Sequence, residues 1–280
     1  MKNWLQNEYV VLSGASSGIG RELCKLLIEK YGANVIGIGR KEEKMQTLKT
    51  ELGENAERFT YSLFDVGEKT AWQNFAQDLK NKGIQPILLI HNAGMFPSFQ
   101  TVRDMPSSTF ERIMNVNYFS IVYGTEALFP FLKRTENTKP GIVNVASSAA
   151  LCTVVGTSAY SASKAAIKGY TEALQMEEKG KTYVGLICPG TTATELFDGD
   201  ANTKNSALDL IAMPAAKMAK KIARKIYKKC KRAVLGWDAK CMNWVAKIAP
   251  VKGLFLIRWV MKISHSKVFS NVFKDERSKK

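Results

Sequence analysis

This 280-residue sequence predicts an α/β fold: a doubly wound parallel sheet of about seven strands with helices on both faces. Three observations predict it. Short apolar runs alternate with amphipathic helical segments along most of the chain, the order that builds a parallel sheet. The runs are nearly continuous rather than alternating in polarity, as strands covered on both sides must be. Six of them end in small, polar or charged residues, and an open parallel sheet binds its ligand outside the carboxyl ends of its strands. Hydrophobic content of 45% against 24% charged residues is enough for a real core and excludes wholesale disorder.

Taken in order, the first run, 9–13, hands over to SGASSGIG at 13–20 and at once to a helix over 19–31, with Ile19, Leu23, Leu26 and Leu27 on one face. The second strand, 34–39, ends in GRK before a helix at 42–52. The third, 58–63, ends in FDV before a helix at 69–82. The fourth, 86–90, ends in HNAG and precedes a long helical segment at 107–132. The fifth, 141–146, ends in ASS before a helix at 158–179, and the sixth, 183–188, ends in PGTTAT. A basic helix over 214–232 then leads to a short seventh strand at 233–235.

The five cysteines (24, 152, 188, 230 and 241) are scattered and form no C-x-x-C, which predicts reduced thiols in the cytoplasm and neither a disulfide framework nor a metal site. No leader-type apolar segment precedes the first strand. The net charge of +16 is confined to one place: residues 1–213 hold 22 Lys+Arg and 22 Asp+Glu, whereas 214–280 hold 19 against 3. A neutral body thus carries a basic tail.

Three glycines at a strand-to-helix handover, Gly14, Gly18 and Gly20, let the backbone approach a ligand closely. Behind them a helix N-terminus offers free N–H groups and a positive dipole end, which suits a phosphate. Ser16, Ser17 and Ile19 share the loop. The pattern points to a dinucleotide site. About 20 residues on, at the end of the second strand, an acid would bond the ribose 2′-hydroxyl and an arginine would accommodate a 2′-phosphate. Arg40 stands there and no acid precedes Glu42, so NADP(H) is favoured over NAD(H).

Tyr160 and Lys164 in YSASK are four apart on one helical face. A phenol is a poor acid–base group near neutrality, and an adjacent ammonium is expected to lower its pKa. Ser147 lies 13 residues upstream at the end of the fifth strand, and Asn117 lies in NVN. Together these residues offer a hydroxyl to hold a carbonyl oxygen, a tunable acid, a cation and a polar relay.

With these motifs in order, the chain resembles the short-chain dehydrogenase/reductase family over roughly 5–195, in particular its hydroxysteroid dehydrogenases and 3-oxoacyl reductases. The resemblance implies a Rossmann-like catalytic domain and a homodimer or homotetramer; the domain is placed at 1–236 with a lid near 195–213, and the basic, aromatic composition beyond it marks a basic amphipathic extension over 237–280. It implies that Gly14, Gly18 and Gly20 line the pyrophosphate, that Asp65 and Val66 sit at the adenine, and that Asn92, Ala93 and Gly94 lie beside the cofactor. Pro189, Gly190 and Thr192 would flank the nicotinamide, whose amide Thr194 would hold. Asn117, Ser147, Tyr160 and Lys164 would form a catalytic tetrad. Tyr160 would donate the proton, Lys164 would tune it and bond the ribose, Ser147 would orient the carbonyl, and Asn117 would hold a water. The spacing of 13 selects Ser147 over Ser148. Ser13, His91 and Ala150 depart from the family's usual threonine, asparagine and glycine, and His91 is expected to be a packed residue.

Apolar segments at Met95, Phe96 and Phe99, at Leu151, Val154 and Val155, and at Leu196 and Phe197 suggest a pocket for a bulky hydrophobic ketone, a steroid, bile acid or long-chain 3-oxoacyl group. Cys152 falls beside them. The tail admits two readings: a peripheral contact with the inner face of a membrane, or a solvated basic face on helices packed against the domain. A non-catalytic dinucleotide- or nucleic-acid-binding protein would need no tetrad, which argues for an oxidoreductase and against a nucleic-acid partner.

Overall fold

The computed structural model describes residues 3–135, 138–194, 212–264 and 266–274. Seven strands form one parallel sheet: β1 (Tyr9–Ser13), β2 (Asn34–Gly39), β3 (Phe59–Leu63), β4 (Leu88–His91), β5 (Gly141–Val145), β6 (Tyr183–Pro189) and β9 (Arg232–Leu235). Between the last two, β7 (Thr192–Ala193) and β8 (Met213–Pro214) make a separate two-residue pairing. The order in the main sheet is β3-β2-β1-β4-β5-β6-β9. The chain runs outward from β1 to β3, then returns to β4 on the other side of β1, so the order reverses between β1 and β4 and a crevice opens above that point.

Helices α1 (Gly18–Glu29), α2 (Glu42–Glu51), α3 (Lys69–Asn81), α4 (Ser107–Met114), α5 (Ser120–Leu128), α6 (Ser158–Glu177) and α7 (Ala215–Tyr227) link the strands. The pleat sends alternate side chains to opposite faces. Val10 and Leu12 join Leu23, Leu27, Met45 and Ile222 on the side of α1, α2 and α7. Val11 and Leu89 join Trp72, Phe75, Leu128 and Leu174 on the side of α3, α5 and α6. Two apolar layers against one sheet account for the continuous runs in the sequence.

Two helical segments differ from their sequence expectation. The 107–132 segment is broken: α4 passes into a π-helical stretch, Asn115–Phe119, before α5, and a short 3-10 turn, Phe129–Phe131, follows. The basic helix ends at Tyr227, short of 232. Lys229 adopts the left-handed conformation (φ +50°), with Lys229 N–H donating to Ile226 O and Cys230 N–H to Lys225 O. That is a Schellman cap built on lysine where glycine is usual, so the sequence carries no stop signal there.

Residues 237–274 fold back onto the domain. Helices α8 (Trp237–Ile248) and α9 (Lys252–Ile263) approach closely at Gly253, where a Cβ would lie 2.5 Å from Val245 Cγ1. Met261, Val268, Phe269 and Phe273 pack against Phe96 and Phe99 of the body.

Candidate active site

The ends of β1, β2, β4, β5 and β6 surround a cavity of about 650 Å³. At its floor the glycine loop turns β1 into α1. Gly14 (φ +71°) and Gly18 (φ +51°) take conformations that favour glycine, and a Cβ on Gly14 would lie 2.9 Å from Ala93 Cα. Gly20 has no room for a side chain: a Cβ would collide with Gly14 O and lie 2.6 Å from Asn92 Nδ2. Ser17, the N-cap of α1, makes no side-chain capping bond, so the first N–H groups of α1 face the cavity without that partner. Ser13, in place of threonine, keeps the hydroxyl function, accepting from Asn92 N–H (3.0 Å) and Ala93 N–H (3.1 Å). Asn92 in turn donates to Ser13 O (3.2 Å). These bonds lock the ends of β1 and β4 together at the crevice. A loop of close-approach glycines, an uncapped helix N-terminus and a cavity of this size fit a dinucleotide.

Positive charge gathers along one stretch of the wall. Arg40 and Arg112 both reach Asp65, at 3.6 and 3.7 Å, and Lys41 and Lys44 line the same cavity. Two guanidiniums sharing one carboxylate leave net positive charge and spare donors. Glu42, by contrast, accepts from Tyr61 (3.4 Å) and Gln46 (3.3 Å), and it is not among the cavity residues. Val66 is buried in the same wall.

Ser147, Tyr160 and Lys164 come together at the end of β5 and the start of α6. Ser147 hydrogen-bonds the Tyr160 hydroxyl, and its Oγ also accepts from Ala149 N–H (3.2 Å). Ser148 borders the cavity too, but the bond to Tyr160 belongs to Ser147. Lys164 Nζ stands 5.6 Å from the Tyr160 ring centroid and donates to Val145 O (3.3 Å). The expected lowering of the tyrosine pKa is not met. Burial raises Tyr160 above the ordinary phenol value, with the Ser147 bond pulling the other way, and the same dryness pushes Lys164 down to about 8. For Tyr160, desolvation outweighs the Ser147 hydrogen bond.

Asn117 is fully buried inside the π-helical stretch, a feature that often marks functional positions. Its Oδ1 accepts from Met95 N–H (2.7 Å), and its Nδ2 donates to Met95 O (3.1 Å) and Ser163 Oγ (3.0 Å). Both amide hydrogens are committed, so the side chain clamps the loop after β4 to α6 instead of donating to a water. Gly94 separates it from Lys164: a Cβ there would lie 3.3 Å from both Asn117 Oδ1 and Lys164 Nζ.

Pro189, Gly190, Thr192 and Thr194 all reach the cavity, and Thr194 sits against Gly18. What holds this loop is Asp238, which sequence reading missed. Its buried carboxylate accepts from Thr191 N–H (2.6 Å) and occupies the space a side chain at Gly190 would need. The available signal was that Asp238 is the single acid between 214 and 274. The extension also supplies Met242, Ile257, Met261 and Phe269 to the wall, beside Met95, Phe96, Phe99 and Val154. Phe96 packs edge-on against Tyr160 with ring centroids 5.2 Å apart.

Two of the expected pocket residues fall away, and the packed reading of His91 holds. Leu151, Val155 and Cys152 are not among the cavity residues; Cys152 is buried and its thiol is raised by desolvation. His91 is buried, accepts or donates only to Thr125 Oγ1 (3.3 Å), and is pushed down to about 3, which makes it a neutral packed residue against Trp72. Leu196, Phe197 and the proposed lid over 195–213, except its last two residues, lie outside the described residues.

Comparison with known proteins agrees with this geometry. The family model for short chain dehydrogenase matches residues 8–205. A 3beta-hydroxysteroid dehydrogenase 2 from Eggerthella lenta is 31% identical over 198 residues, 70% of this chain and 75% of the relative. A 3-ketodihydrosphingosine reductase from Bos taurus is 33% identical over 215 residues, 74% of this chain and 63% of the relative. Among solved structures, a closed form of serine dehydrogenase complexed with NADP+ matches with a TM-score of 0.65 and 26% identity, covering 76% of this chain and 87% of that one.

Proposed function

This chain belongs to the short chain dehydrogenase family and is an NAD(P)-dependent oxidoreductase; from that premise we propose that it uses NADP(H) to interconvert a ketone and a secondary alcohol on a bulky hydrophobic substrate of the steroid or bile-acid type. The observation that carries this reading is one cavity in which the glycine loop, the Ser147, Tyr160 and Lys164 group and an apolar wall converge.

The bound dinucleotide supplies or accepts the hydride. Gly14, Ser16, Ser17, Gly18, Ile19 and Gly20 hold its phosphates, Asp65 and Val66 flank the adenine, and Asn92, Ala93, Gly94, Pro189, Gly190, Thr192 and Thr194 flank the rest. Arg40 takes the 2′-phosphate with Arg112 beside it, a reading supported by the net positive charge around Asp65 and by the NADP+-bound serine dehydrogenase. Tyr160 is the general acid in reduction. Its raised pKa keeps the proton on the hydroxyl until an alkoxide develops beside it. Ser147, already bonded to that hydroxyl, orients the carbonyl oxygen. Lys164 contributes positive charge next to the phenol, and Asn117 holds the loop and α6 in register around it.

Phe96, Phe99, Met242, Ile257, Met261 and Phe269 favour a large apolar substrate. The hydroxysteroid dehydrogenase relative supports a steroid, and the 3-ketodihydrosphingosine reductase relative supports a second reading, a long-chain 3-oxo compound. A panel of ketosteroids, bile acids, long-chain 3-oxo compounds and small water-soluble ketones, each with NADPH and NADH, separates them by nicotinamide absorbance. Turnover confined to small polar ketones would overturn the substrate class.

A further inference from the structure

Ten of the sixteen large hydrophobic side chains exposed on the described surface lie within 237–263. They follow helical spacing: Trp237, Trp244 and Ile248 run along the outside of α8, and Phe255, Trp259 and Ile263 along the outside of α9. Five basic residues are interspersed, and the segment's one acid, Asp238, is buried against Thr191. We propose that this outer face is a docking surface for an anionic lipid membrane.

Exposure of this apolar stripe is built into the fold. The inner faces of the same helices are engaged, with Met242, Ile257 and Met261 lining the cavity. The pair cannot turn its outer face inward without withdrawing these residues. Helix α7 shows the contrast: its apolar face, Met218, Ile222 and Ile226, is buried against the sheet, and only its basic face meets solvent. Positive charge on α7 is therefore an ordinary solvated surface, whereas on α8 and α9 it is interleaved with exposed tryptophans. Contiguous exposed apolar surface on a folded protein marks an interaction site.

Charge decides between occupants. A symmetric contact with a second copy would set the exposed Lys240, Lys247 and Lys252 of both copies on one seam with no exposed acid within 237–263 between them, which disfavours self-association. An anionic lipid surface takes both the charge and the aromatic rings, which seat at the headgroup boundary. Each helix has 12 residues, about 18 Å of length, and no described helix is long and apolar enough to cross a bilayer, so the pair lies along the surface.

The test needs neither substrate nor cofactor, so its failure is separate from failure of the proposed reaction. The full chain is mixed with phosphatidylcholine vesicles, with or without about one third phosphatidylserine, at low and high salt, and flotation is scored. The expected result is recruitment at least about tenfold stronger by the anionic vesicles, weakened by salt. Brominated lipid should quench the fluorescence, since Trp237, Trp244 and Trp259 are three of the chain's five tryptophans. The triple variant Trp244→Glu, Phe255→Glu, Trp259→Glu should lose recruitment at least about tenfold while keeping its helical spectrum. If that variant does not fold, the quenching of the unaltered protein decides. No recruitment at low salt, no quenching, or recruitment undiminished in the folded triple variant would each overturn the proposal. So would a stable dimer that the variant disperses and that ignores vesicles, since it would assign the face to a second copy.

Discussion

Lys164 is the residue whose replacement tests the physical account of the site most directly. Its side chain is buried, donates to the Val145 carbonyl, and forms no ion pair with a carboxylate among the described residues. Burial moves its pKa from 10.5 to about 8, with only a weak opposing contribution from Cys188. In the unliganded protein the native state therefore binds fewer protons at this site than the unfolded chain does between about pH 8 and 10.5. Below that window both states are protonated and the charge is held at a cost; the displacement corresponds to about 3 kcal/mol. As pH rises through the window the cost is relieved. Lys164→Met fills a similar volume with no charge. It should raise unfolding stability at pH 7 by as much as about 3 kcal/mol while abolishing turnover, the pattern of a group kept for chemistry at the expense of the fold. Urea unfolding of both proteins at pH 7 and at pH 10 measures the difference, in which all other titrating groups cancel. The variant's advantage must shrink as pH rises. A variant less stable than the parent at pH 7, or an advantage independent of pH, would refute the assignment of a desolvated ammonium to this position.

Three further outcomes follow from named contacts. Tyr160→Phe should lower turnover by about 10²–10⁴ with dinucleotide affinity largely intact, read by steady-state kinetics beside cofactor fluorescence titration. Arg40→Asp should weaken NADPH binding and spare NADH, because a carboxylate would then face the 2′-phosphate, and Arg112→Ala should weaken NADPH in the same sense by a smaller factor; equal losses for both cofactors would make these arginines structural. Asp238→Ala strips the acceptor from the Thr191 N–H, and leaving such a buried donor unpaired costs about 1–3 kcal/mol, so thermal stability should fall and cofactor affinity with it, whereas Asp238→Asn should recover part of both.

What the sequence made legible was whatever is decided locally. The glycine loop is readable because each glycine answers a steric demand of its own turn, as the positive φ of Gly14 and Gly18 and the crowding at Gly20 bear out. Tyr160 and Lys164 are readable because one helical turn fixes their relation, and the strands because burial on both faces leaves apolar runs. What depends on distant partners was not. Arg112 gains meaning from Asp65, 47 residues earlier, and Asp238 from Thr191, also 47 residues away. The sign of the Tyr160 shift was misread for the same reason. Sequence shows the neighbouring ammonium but not how dry the pair becomes once the loop after β4 and the extension close over it.

The tail shows most clearly how composition and position part company. Its +16 charge was visible as a block, yet the block divides physically at Gly236. Before that residue, basic side chains decorate a helix whose apolar face is spent on the sheet, and after it, two short helices spend one apolar face on the cavity and expose the other. A period of 3.6 reports that an apolar stripe exists; it cannot report that a helix carries two of them, because the second appears only as a high apolar count. The run from Lys252 to Ile263, KGLFLIRWVMKI, has that count and only three charges. In a packed domain such a helix would be central and covered on all sides. Here it lies at the edge, where Gly253 meets Val245 and Met261 meets the body, and nothing in the described chain covers Phe255 or Trp259. The same segment that completes the wall above Tyr160 is thus the one that leaves aromatic surface in water, so the proposed hydrophobic substrate and the proposed membrane surface meet in the same twelve residues.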